Sequence, residues 1–291
     1  MPRKTVIEGT KTNITEPAVT EAPPPGTDGT DPDITETEPP PDTVIEEENR
    51  YANKNVSVTV TKCTAGENGD IITYFVADIR VRSALSVKTA FANDTYGVGY
   101  YERIKPMANR NGAIVAISGD FYGAFGSKEE IQNLVLRNGM IYSPIISDGD
   151  VAVLYADGEL AVYSPDEVDL DELIQRGAWQ AWNFGPILVR DGRIPAKFNS
   201  TSYVNKKHPR CGIGYYEPGH YCFVVVDGRQ DGYSSGATVA EFARIFESLG
   251  VKNAYNLDGG RSAAMVMYGE YVNVPWSDGR PICDIIYIGA E

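Results

Sequence analysis

Residues 210–229 read RCGIGYYEPGHYCFVVVDGR, two apolar segments joined by the tetrapeptide Glu217-Pro218-Gly219-His220. Proline followed by glycine is typical of a turn, and the β-branched and aromatic residues on both sides favour strands, so the stretch predicts a β-hairpin. Its second strand runs directly into Asp227-Gly228-Arg229. The stretch AYNLDGGRS (254–262) repeats this arrangement, because an apolar segment there ends at Asp258. Two predicted strands therefore end in Asp-Gly.

Most of the remaining chain also predicts strands, since apolar and polar residues alternate in short segments separated by turn residues. The clearest segments are NVSVTVTKC (55–63), DIITYFVADIRV (70–81), AIVAIS (113–118) and VAVLYADGELAVY (151–163). No repeated strand–helix–strand unit is evident, which favours antiparallel or mixed sheets over a parallel one.

Helix signals are few, and the strongest begins at Thr238. Thr238 and Glu241 have the spacing of a capping box, apolar residues recur at 239, 242, 243, 246 and 249, and Gly250 is placed to end the helix. Further helices are predicted at 166–177 and 101–110. The expected fold class is therefore α+β, a β-rich single domain of antiparallel or mixed sheets with few helices.

Residues 1–50 differ in composition from the rest of the chain. They contain nine of its 18 prolines, ten threonines, and 12 acidic residues against four basic ones. Such a segment has too little apolar surface to offset the entropy lost on ordering. We expect a disordered, acidic Pro/Thr-rich spacer at 1–50 and a folded domain at 51–291.

The formal net charge of −14 lies largely in this spacer, so the folded part is only mildly acidic and a nucleic-acid partner is not expected. No apolar run reaches the 18 or so residues of a membrane span, which predicts no stable membrane insertion of this chain. Thr/Pro/acidic spacers often separate an envelope anchor from an ectodomain. The expected location is extracellular or at the cell envelope, with anchoring supplied by a segment absent from this chain.

Four cysteines, Cys63, Cys211, Cys222 and Cys283, show none of the CxxC spacing of metal sites. If Tyr216 faces Tyr221 in the hairpin, Cys211 lies roughly 13 Å from Cys222, at about 3.3 Å per residue. That separation is too long for a disulfide, so buried free thiols are expected.

Metal and histidine chemistry receive little support from the sequence. His208 and His220 are the only histidines, and both lie in turn-like positions that predict surface residues. Asp148-Gly149-Asp150 predicts a loop. We expect no required cofactor, while Ca²⁺ or Mg²⁺ remains compatible with the acidic residues.

Candidate functional residues follow or precede predicted strands beside glycines. A carboxylate on a rigid strand end is held well enough for catalysis, and glycine lets a ligand approach the backbone. Asp-Gly is also an ordinary turn signal, which is the expected role at Asp157 and Asp191. The candidates at the other strand ends are Asp120, the 183–186 segment, Arg210, the 227–229 segment and the 256–262 segment. The last two carry polar groups that no turn requires.

Several ordered motifs resemble the phosphodiester glycosidase family. They are NFGPILVRDG (183–192), RCGIG (210–214), VVVDGRQDGYSSGATVAEFARIFESLG (224–250), AYNLDGGRS (254–262) and YVNVP (271–275). The resemblance covers roughly residues 110–290. It implies a hydrolase that splits a sugar α-1-phosphodiester, such as N-acetylglucosamine-1-phosphodiester, into free sugar and phosphomonoester. The implied partner is a carbohydrate phosphodiester on a cell-envelope glycan or an exported glycan such as an exopolysaccharide.

Carried over by motif, the resemblance implies a set of site residues. The catalytic ones would be Asp120, Asp227, Asp258 and Arg229. The substrate-binding ones would be Asn183, Gly185, Arg210, Asn256, Gly259, Gly260 and Ser262. This chain departs from the family pattern at Arg261 and Ala263, where a third glycine and a small hydroxyl residue are usual, and the departure bears on substrate identity.

The chemistry of these residue types agrees with that reaction. A phosphomonoester leaving group has a second pKa of about 6, so it departs without strong protonation. Arg210 and Arg229 are suited to bind phosphate oxygens in pairs. An oxocarbenium-like sugar carbon needs one carboxylate beside it, which either Asp258 or Asp227 could supply as nucleophile or base. Asp120 would hold sugar hydroxyls or act as the second carboxylate.

Two alternatives from other classes stay open. In the first, the chain is a non-catalytic glycan-binding module in which Arg261 prevents turnover. In the second, it is a metal-dependent phosphodiesterase that cuts the P–O bond using aspartate ligands.

Overall fold

The computed structural model describes residues 44–66, 70–122, 133–200 and 205–290. The first nine strands of these residues are β1 Ile45–Glu47, β2 Arg50–Ala52, β3 Val56–Ala65, β4 Ile72–Val81, β5 Val87–Phe91, β6 Ala113–Ser118, β7 Leu134–Arg137, β8 Met140–Pro144 and β9 Val151–Tyr155. The next nine are β10 Leu160–Tyr163, β11 Ala178–Trp182, β12 Ile187–Val189, β13 Arg210–Glu217, β14 His220–Val226, β15 Asn253–Leu257, β16 Met265–Met267, β17 Glu270–Tyr271 and β18 Asp284–Gly289. The helices are α1 Ile104–Arg110, α2 Leu170–Gln175 and α3 Val239–Ser248.

The strands form three antiparallel sheets. The largest has eight strands in the order β1-β2-β3-β4-β14-β13-β15-β12. Two five-stranded sheets have the orders β10-β9-β11-β7-β8 and β17-β16-β6-β18-β5. The predicted α+β class with few helices is confirmed.

The main hydrophobic core lies where all three sheets meet. Phe223 and Tyr255 from the eight-stranded sheet pack with Trp182 from one five-stranded sheet and Ile117 and Ile286 from the other. Each of these side chains is fully buried. Strands buried on both faces read as continuous apolar runs, as in β14 and β6.

Helix α3 lies on the eight-stranded sheet and begins and ends as predicted. Thr238 and Glu241 form the capping box, and the buried face includes Phe242 and Phe246, which pack against β14 and β15. The predicted helix at 166–177 is shorter: a 3-10 turn at Pro165–Glu167 precedes α2. No helix in the described ranges is long and apolar enough to cross a membrane.

The first two strands lie at the start of the described chain. Ile45 of β1 faces Ala52 of β2. The described sheet therefore begins within the last residues of the predicted 1–50 spacer, and residues 1–43 of that spacer lie outside the described residues.

The predicted hairpin is formed by β13 and β14, but its register differs by one residue from the expected one. Tyr215, rather than Tyr216, faces Tyr221, because a bulge lies between Tyr215 and Glu217. Cys222 consequently faces Gly214. All four cysteines are free; three are buried and Cys63 is half-buried.

Candidate active site

The start of β13 and the ends of its two neighbours, β14 and β15, lie at the same end of the eight-stranded sheet. Because β13 is antiparallel to both neighbours, Arg210 faces Val226, and Cys211 faces Leu257. Asp227 is the next residue after β14 and Asp258 is the next after β15. Strand pairing thus brings groups that are distant in sequence to one end of the sheet.

Two glycines let these strand ends pack closely around Pro209. A Cβ at Gly228 would lie 2.5 Å from Gly236 Cα and 2.9 Å from Pro209 N. A Cβ at Gly259 would lie 2.8 Å from the Pro209 carbonyl oxygen. Real Cβ atoms do not approach so closely, so a side chain at either position would force the backbone segments apart.

A cavity of about 280 Å³ opens at this end of the sheet. The predicted site residues that line it are Arg210, Arg229, Asn256, Asp258, Gly259 and Gly260. The other residues that shape its chemistry are His208, Arg261, Trp276 and Arg280. Of the lining residues in the described chain, Asp258 carries the one carboxylate, and four arginines, Arg210, Arg229, Arg261 and Arg280, line the same cavity.

Asp258 is 6% exposed and forms an ion pair with Arg280. The Arg280 NH2 atom lies 3.2 Å from one carboxylate oxygen and 3.1 Å from the other, while its Nε donates to the Ser262 hydroxyl at 2.6 Å. Burial raises the pKa of Asp258 above its usual range, and the positive charge of Arg280 opposes that rise. Arg280 therefore favours the ionised form of Asp258.

The two predicted phosphate-binding arginines are held by different partners. Arg210 is buried and donates from Nε to the Ala237 carbonyl at 2.8 Å and from NH2 to the Lys206 carbonyl at 2.8 Å. Burial, with the neighbouring charge of Arg229, lowers the pKa of Arg210 to about 10, so the side chain stays charged at neutral pH.

Arg229 adopts a left-handed backbone conformation, with φ of 60°. Its guanidinium carbon lies 4.5 Å from the centre of the Trp276 ring, and its NH2 atom lies 2.7 Å from His208 Nδ1. Non-glycine residues rarely adopt this φ, and such strain is concentrated at functional sites.

Arg261 is the first of the two departures from the family pattern. Its NH2 atom donates to the carbonyls of Ser277 at 3.3 Å and Gly279 at 3.1 Å. The side chain thus ties the 3-10 turn Gly260–Ser262 to the turn Trp276–Asp278, which supplies the Trp276 wall of the cavity. Ala263, the second departure, is buried.

Asn256 lines the cavity and has an unsatisfied acceptor that is itself buried. Its amide nitrogen donates to the Gly185 carbonyl at 2.9 Å and the Leu257 carbonyl at 3.1 Å. Its Oδ1 is buried and accepts no hydrogen bond from any described residue. A buried unpaired acceptor costs about 1–3 kcal/mol, and a ligand that donates a hydrogen bond would recover this energy.

Asp227 does not line the cavity. Its carboxylate accepts hydrogen bonds from the Tyr233 hydroxyl at 2.9 Å, Asn273 Nδ2 at 2.7 Å and the Val274 amide at 3.0 Å. Burial raises its pKa, and these donors oppose the rise. The side chain fastens the end of β14 to residues 273–274.

Asp120 is also away from the cavity wall, in a buried ionic cluster. Arg137 lies between two carboxylates: its NH2 is 3.1 Å from Asp120 Oδ2 and its Nε is 2.8 Å from Asp284 Oδ2. Burial raises the pKa of Asp120 and brings that of Asp284 to about 6. The cluster supports the site from behind, because the Asp258 amide donates to the Gly119 carbonyl at 3.0 Å.

Asn183 and Gly185 support the cavity from the other side. Asn183 Oδ1 accepts from the Ser147 amide at 2.8 Å, and its Nδ2 donates to the Gly149 carbonyl at 2.8 Å. The Gly185 carbonyl holds the Asn256 amide, as described above. Ser262 is buried and accepts from Arg280. These three predicted residues contact residues of the site or its supporting loop and do not line the cavity themselves.

Three residues that line the cavity were not among the predicted site residues: His208, Trp276 and Arg280. His208 was expected at the surface but is 9% exposed and lines the cavity. A usable signal existed, because His208 lies two residues before Arg210 and therefore at the same strand start. Trp276 and Arg280 come from the segment before β18, and nothing local in the sequence indicates that this segment folds over the site.

The expected loop at 148–150 is present. Asp150 is buried, and its carboxylate accepts from the Ile187 amide at 2.9 Å and Asn199 Nδ2 at 3.0 Å. Among the residues that the structure describes, no group of three or more His, Cys, Asp or Glu side chains is arranged to hold a metal ion.

Fold and site together define an α+β protein with an arginine-rich cavity suited to a negatively charged ligand. A model of the phosphodiester glycosidase family matches residues 111–289, more than half of the chain. The chain therefore belongs to the phosphodiester glycosidase family. This membership supports hydrolase activity on glycan phosphodiesters.

The chain is also similar in sequence to a curated bacterial protein. The SPbeta prophage-derived uncharacterized protein YomE of Bacillus subtilis (strain 168) is 34% identical over 200 residues, which are 66% of this chain and 30% of that protein. The chain thus spans less than a third of the length of this curated relative.

Two solved structures share the fold. The catalytic domain of zebrafish N-acetylglucosamine-1-phosphodiester alpha-N-acetylglucosaminidase, auto-inhibited by its pro-peptide, matches with a TM-score of 0.66 at 19% identity, over 81% of this chain and 84% of that one. A hypothetical protein from Synechocystis matches with a TM-score of 0.58 at 14% identity, over 81% of this chain and 62% of that one.

Proposed function

We propose that the chain hydrolyses a sugar α-1-phosphodiester, such as N-acetylglucosamine-1-phosphodiester, to the free sugar and a phosphomonoester. One observation carries the proposal: the cavity places a single described carboxylate, Asp258, among the guanidinium groups of Arg210, Arg229 and Arg280. That combination matches a substrate with an anionic phosphate next to a carbon that becomes cationic during bond cleavage.

The arginines neutralise the phosphate. Arg210 and Arg229 line the cavity with charged, planar guanidinium groups that suit phosphate oxygens. The departing phosphomonoester has a second pKa of about 6, so neutralisation by arginine replaces the general acid that an alcohol leaving group would need. A cavity with one described carboxylate is sufficient for that reaction.

Asp258 acts at the sugar C1. Its ion pair with Arg280 favours the ionised carboxylate and fixes its orientation. An ionised carboxylate stabilises an oxocarbenium-like centre and then serves either as nucleophile or as base for water. Both routes break the bond between C1 and the phosphate oxygen.

Asn256 recognises the sugar. Asn256 lines the cavity, and its unpaired Oδ1, which is buried in the free protein, accepts a hydrogen bond from a sugar hydroxyl or an acetamido N–H group when the side chain turns toward the bound sugar. The substrate would belong to a cell-envelope or exported glycan, for which the Thr/Pro-rich acidic composition of residues 1–50 is the support. No metal takes part in these steps, although Ca²⁺ or Mg²⁺ stays compatible with the composition.

The test determines which product, the sugar or the phosphate, receives the oxygen atom of water. UDP-N-acetylglucosamine is hydrolysed in ¹⁸O-labelled water with and without EDTA, and both products are weighed by mass spectrometry. Label in the sugar, with activity retained in EDTA, supports the proposal. Label in the phosphate, with activity lost in EDTA, supports a metal-dependent phosphodiesterase instead.

The same assay distinguishes a binding module from an enzyme. If the wild-type chain binds the sugar phosphodiester but releases no more sugar than the Asp258→Asn variant, the chain is a non-catalytic glycan-binding module. The variant is the matched control because it keeps the shape of the cavity.

A further inference from the structure

We propose that His208 is a positioning residue: its neutral imidazole accepts a hydrogen bond from Arg229 and holds the guanidinium in place to bind an oxyanion. This inference rests on the proposed function, because it assigns Arg229 to the phosphate. The juxtaposition itself is independent of that assignment.

The geometry defines the protonation state of the imidazole. Arg229 has N–H donors and no acceptor, and its NH2 atom lies 2.7 Å from His208 Nδ1. At this distance Nδ1 must accept, so the ring carries its proton on Nε2 and is uncharged. A protonated ring would place an N–H group against the guanidinium, and two positive charges would face each other at hydrogen-bond distance.

The guanidinium is held from two sides. Trp276 supplies the second contact, since its ring centre lies 4.5 Å from the guanidinium carbon. Together the ring and the imidazole fix both the position and the plane of the side chain. An arginine fixed in this way loses little rotamer freedom when it binds an oxyanion, which strengthens binding.

The backbone holds His208 as firmly as the side chain. The His208 amide donates to the Ala237 carbonyl at 3.1 Å and the Ala237 amide donates back to the His208 carbonyl at 2.9 Å. A Cβ at Gly236 would lie 2.6 Å from the His208 carbonyl oxygen, so the two segments are in close contact. These contacts fix the backbone of His208, and the residue is only 9% exposed.

Other charged groups around His208 are mostly positive. Arg210, Arg261 and Arg280 line the same cavity, where Asp258 is the described carboxylate. The adjacent Lys207 is paired with Asp70 and with Glu241 of α3. This excess of positive charge disfavours a further cation on the imidazole.

The inference is tested on three variants with sulfate as the probe, because the charge of sulfate does not change between about pH 5 and 8, where histidine titrates. His208→Asn keeps an acceptor near the Nδ1 position and cannot be protonated. His208→Ala removes the acceptor. His220→Asn is the control, since the other histidine stacks on Tyr216 and contacts Asp78. Circular dichroism and thermal unfolding check that each variant is folded.

We expect the sulfate dissociation constant at neutral pH to stay within about threefold of wild type in His208→Asn and to rise about tenfold in His208→Ala, the loss typical of one hydrogen bond to a charged group. On acidification, sulfate binding in wild type and in His220→Asn should weaken relative to His208→Asn, in which only groups other than His208, such as Asp258, still titrate. Equal losses in the Asn and Ala variants, or sulfate binding that strengthens in acid in wild type alone, would overturn the inference.

A second readout needs no ligand. ¹⁵N NMR of the free protein should show an unprotonated Nδ1 on His208 at neutral pH, and Arg229→Gln should change that signal while leaving His220 unaffected. A protonated Nδ1 would overturn the inference. Because neither readout depends on turnover, a chain that fails to hydrolyse sugar phosphodiesters would defeat the proposed function without deciding this result.

Discussion

The ends of β14 and β15 have the same local sequence, an apolar strand followed by Asp-Gly. They lie on either side of the start of β13, at one end of the eight-stranded sheet. Their carboxylates nevertheless have different partners. Asp258 lines the cavity and pairs with Arg280, whereas Asp227 accepts three hydrogen bonds from Tyr233, Asn273 and Val274. The segment that packs on each strand end, rather than the strand end itself, decides what its aspartate does.

The largest effect is expected for Asp258→Asn. Removing the charge beside the sugar C1 should lower kcat roughly 10²–10⁴-fold, the range for loss of a positioned carboxylate, while the fold persists. The loss of kcat is measured as turnover of N-acetylglucosamine-1-phosphodiester, and the circular dichroism spectrum checks that the fold persists. A variant that keeps more than a tenth of wild-type kcat would remove Asp258 from the chemistry.

Arg229→Gln should act on binding more than on turnover. The glutamine keeps some polar contact with Trp276 and His208 but loses the charge that faces the phosphate, so KM should rise about 10–100-fold, as expected for a hydrogen bond to a charged group. Arg193→Gln is the matched control, because Arg193 is exposed and lies outside the cavity. An unchanged KM in Arg229→Gln would place the phosphate elsewhere.

Asp227→Asn should show the opposite balance, with a loss of stability and a small loss of activity. Both carboxylate oxygens accept from donors, so an asparagine must turn its NH2 group toward a donor whichever way it is oriented. We expect a loss of about 1–3 kcal/mol in the free energy of unfolding. Urea denaturation measures it, and kcat should stay within about tenfold of wild type.

This variant decides between the two accounts of Asp227. The family resemblance implies a catalytic role for Asp227 as well as for Asp258, while the contacts of Asp227 indicate a supporting role. A kcat as low as that of Asp258→Asn, with normal stability, would favour the catalytic role.

Arg280→Gln should shift the pH profile of kcat. In the proposed mechanism Asp258 acts as an ionised carboxylate, so activity should fall as the pH drops through its pKa. Burial raises that pKa and Arg280 opposes the rise, hence removing Arg280 should raise the pKa further and move the acid limb to higher pH, by about one unit. If the acid limb moves to lower pH, or stays at the pH seen in the Arg193→Gln control, Arg280 does not set the ionisation of Asp258.

Sequence patterns predicted the fold well because each signal is local. The capping box at Thr238 and Glu241 and the turn at 217–220 depend on neighbours within a few residues, and both are observed. The one-residue register error arose from a bulge between Tyr215 and Glu217 that no local pattern marks.

The site was predictable only in part. Strand pairing brings Arg210, Asp258 and Arg229 to one end of the sheet. All three were predicted as site residues, because they are polar residues at or next to the ends of predicted strands. Trp276 and Arg280 lie on the loop between β17 and β18, and the path of this loop depends on tertiary contacts such as those of Arg261. Asp120 shows the same limitation, because its partners Arg137 and Asp284 come from two different sheets.

The smallest effect is expected for Asp157→Asn, at an Asp-Gly pair that lies in a hairpin turn between β9 and β10. Asp157 is exposed, and its Oδ1 accepts from the Glu159 amide at 3.0 Å, a contact that an asparagine carbonyl can also make. Its nearest cation, Arg176, lies 3.9 Å away, and exposed pairs contribute little. The free energy of unfolding should change by less than about 0.5 kcal/mol, with kcat and KM unaltered. Urea denaturation and steady-state kinetics alongside Asp258→Asn and Asp227→Asn check this. If all three variants lose activity alike, packing contacts do not separate a turn aspartate from a site aspartate in this fold.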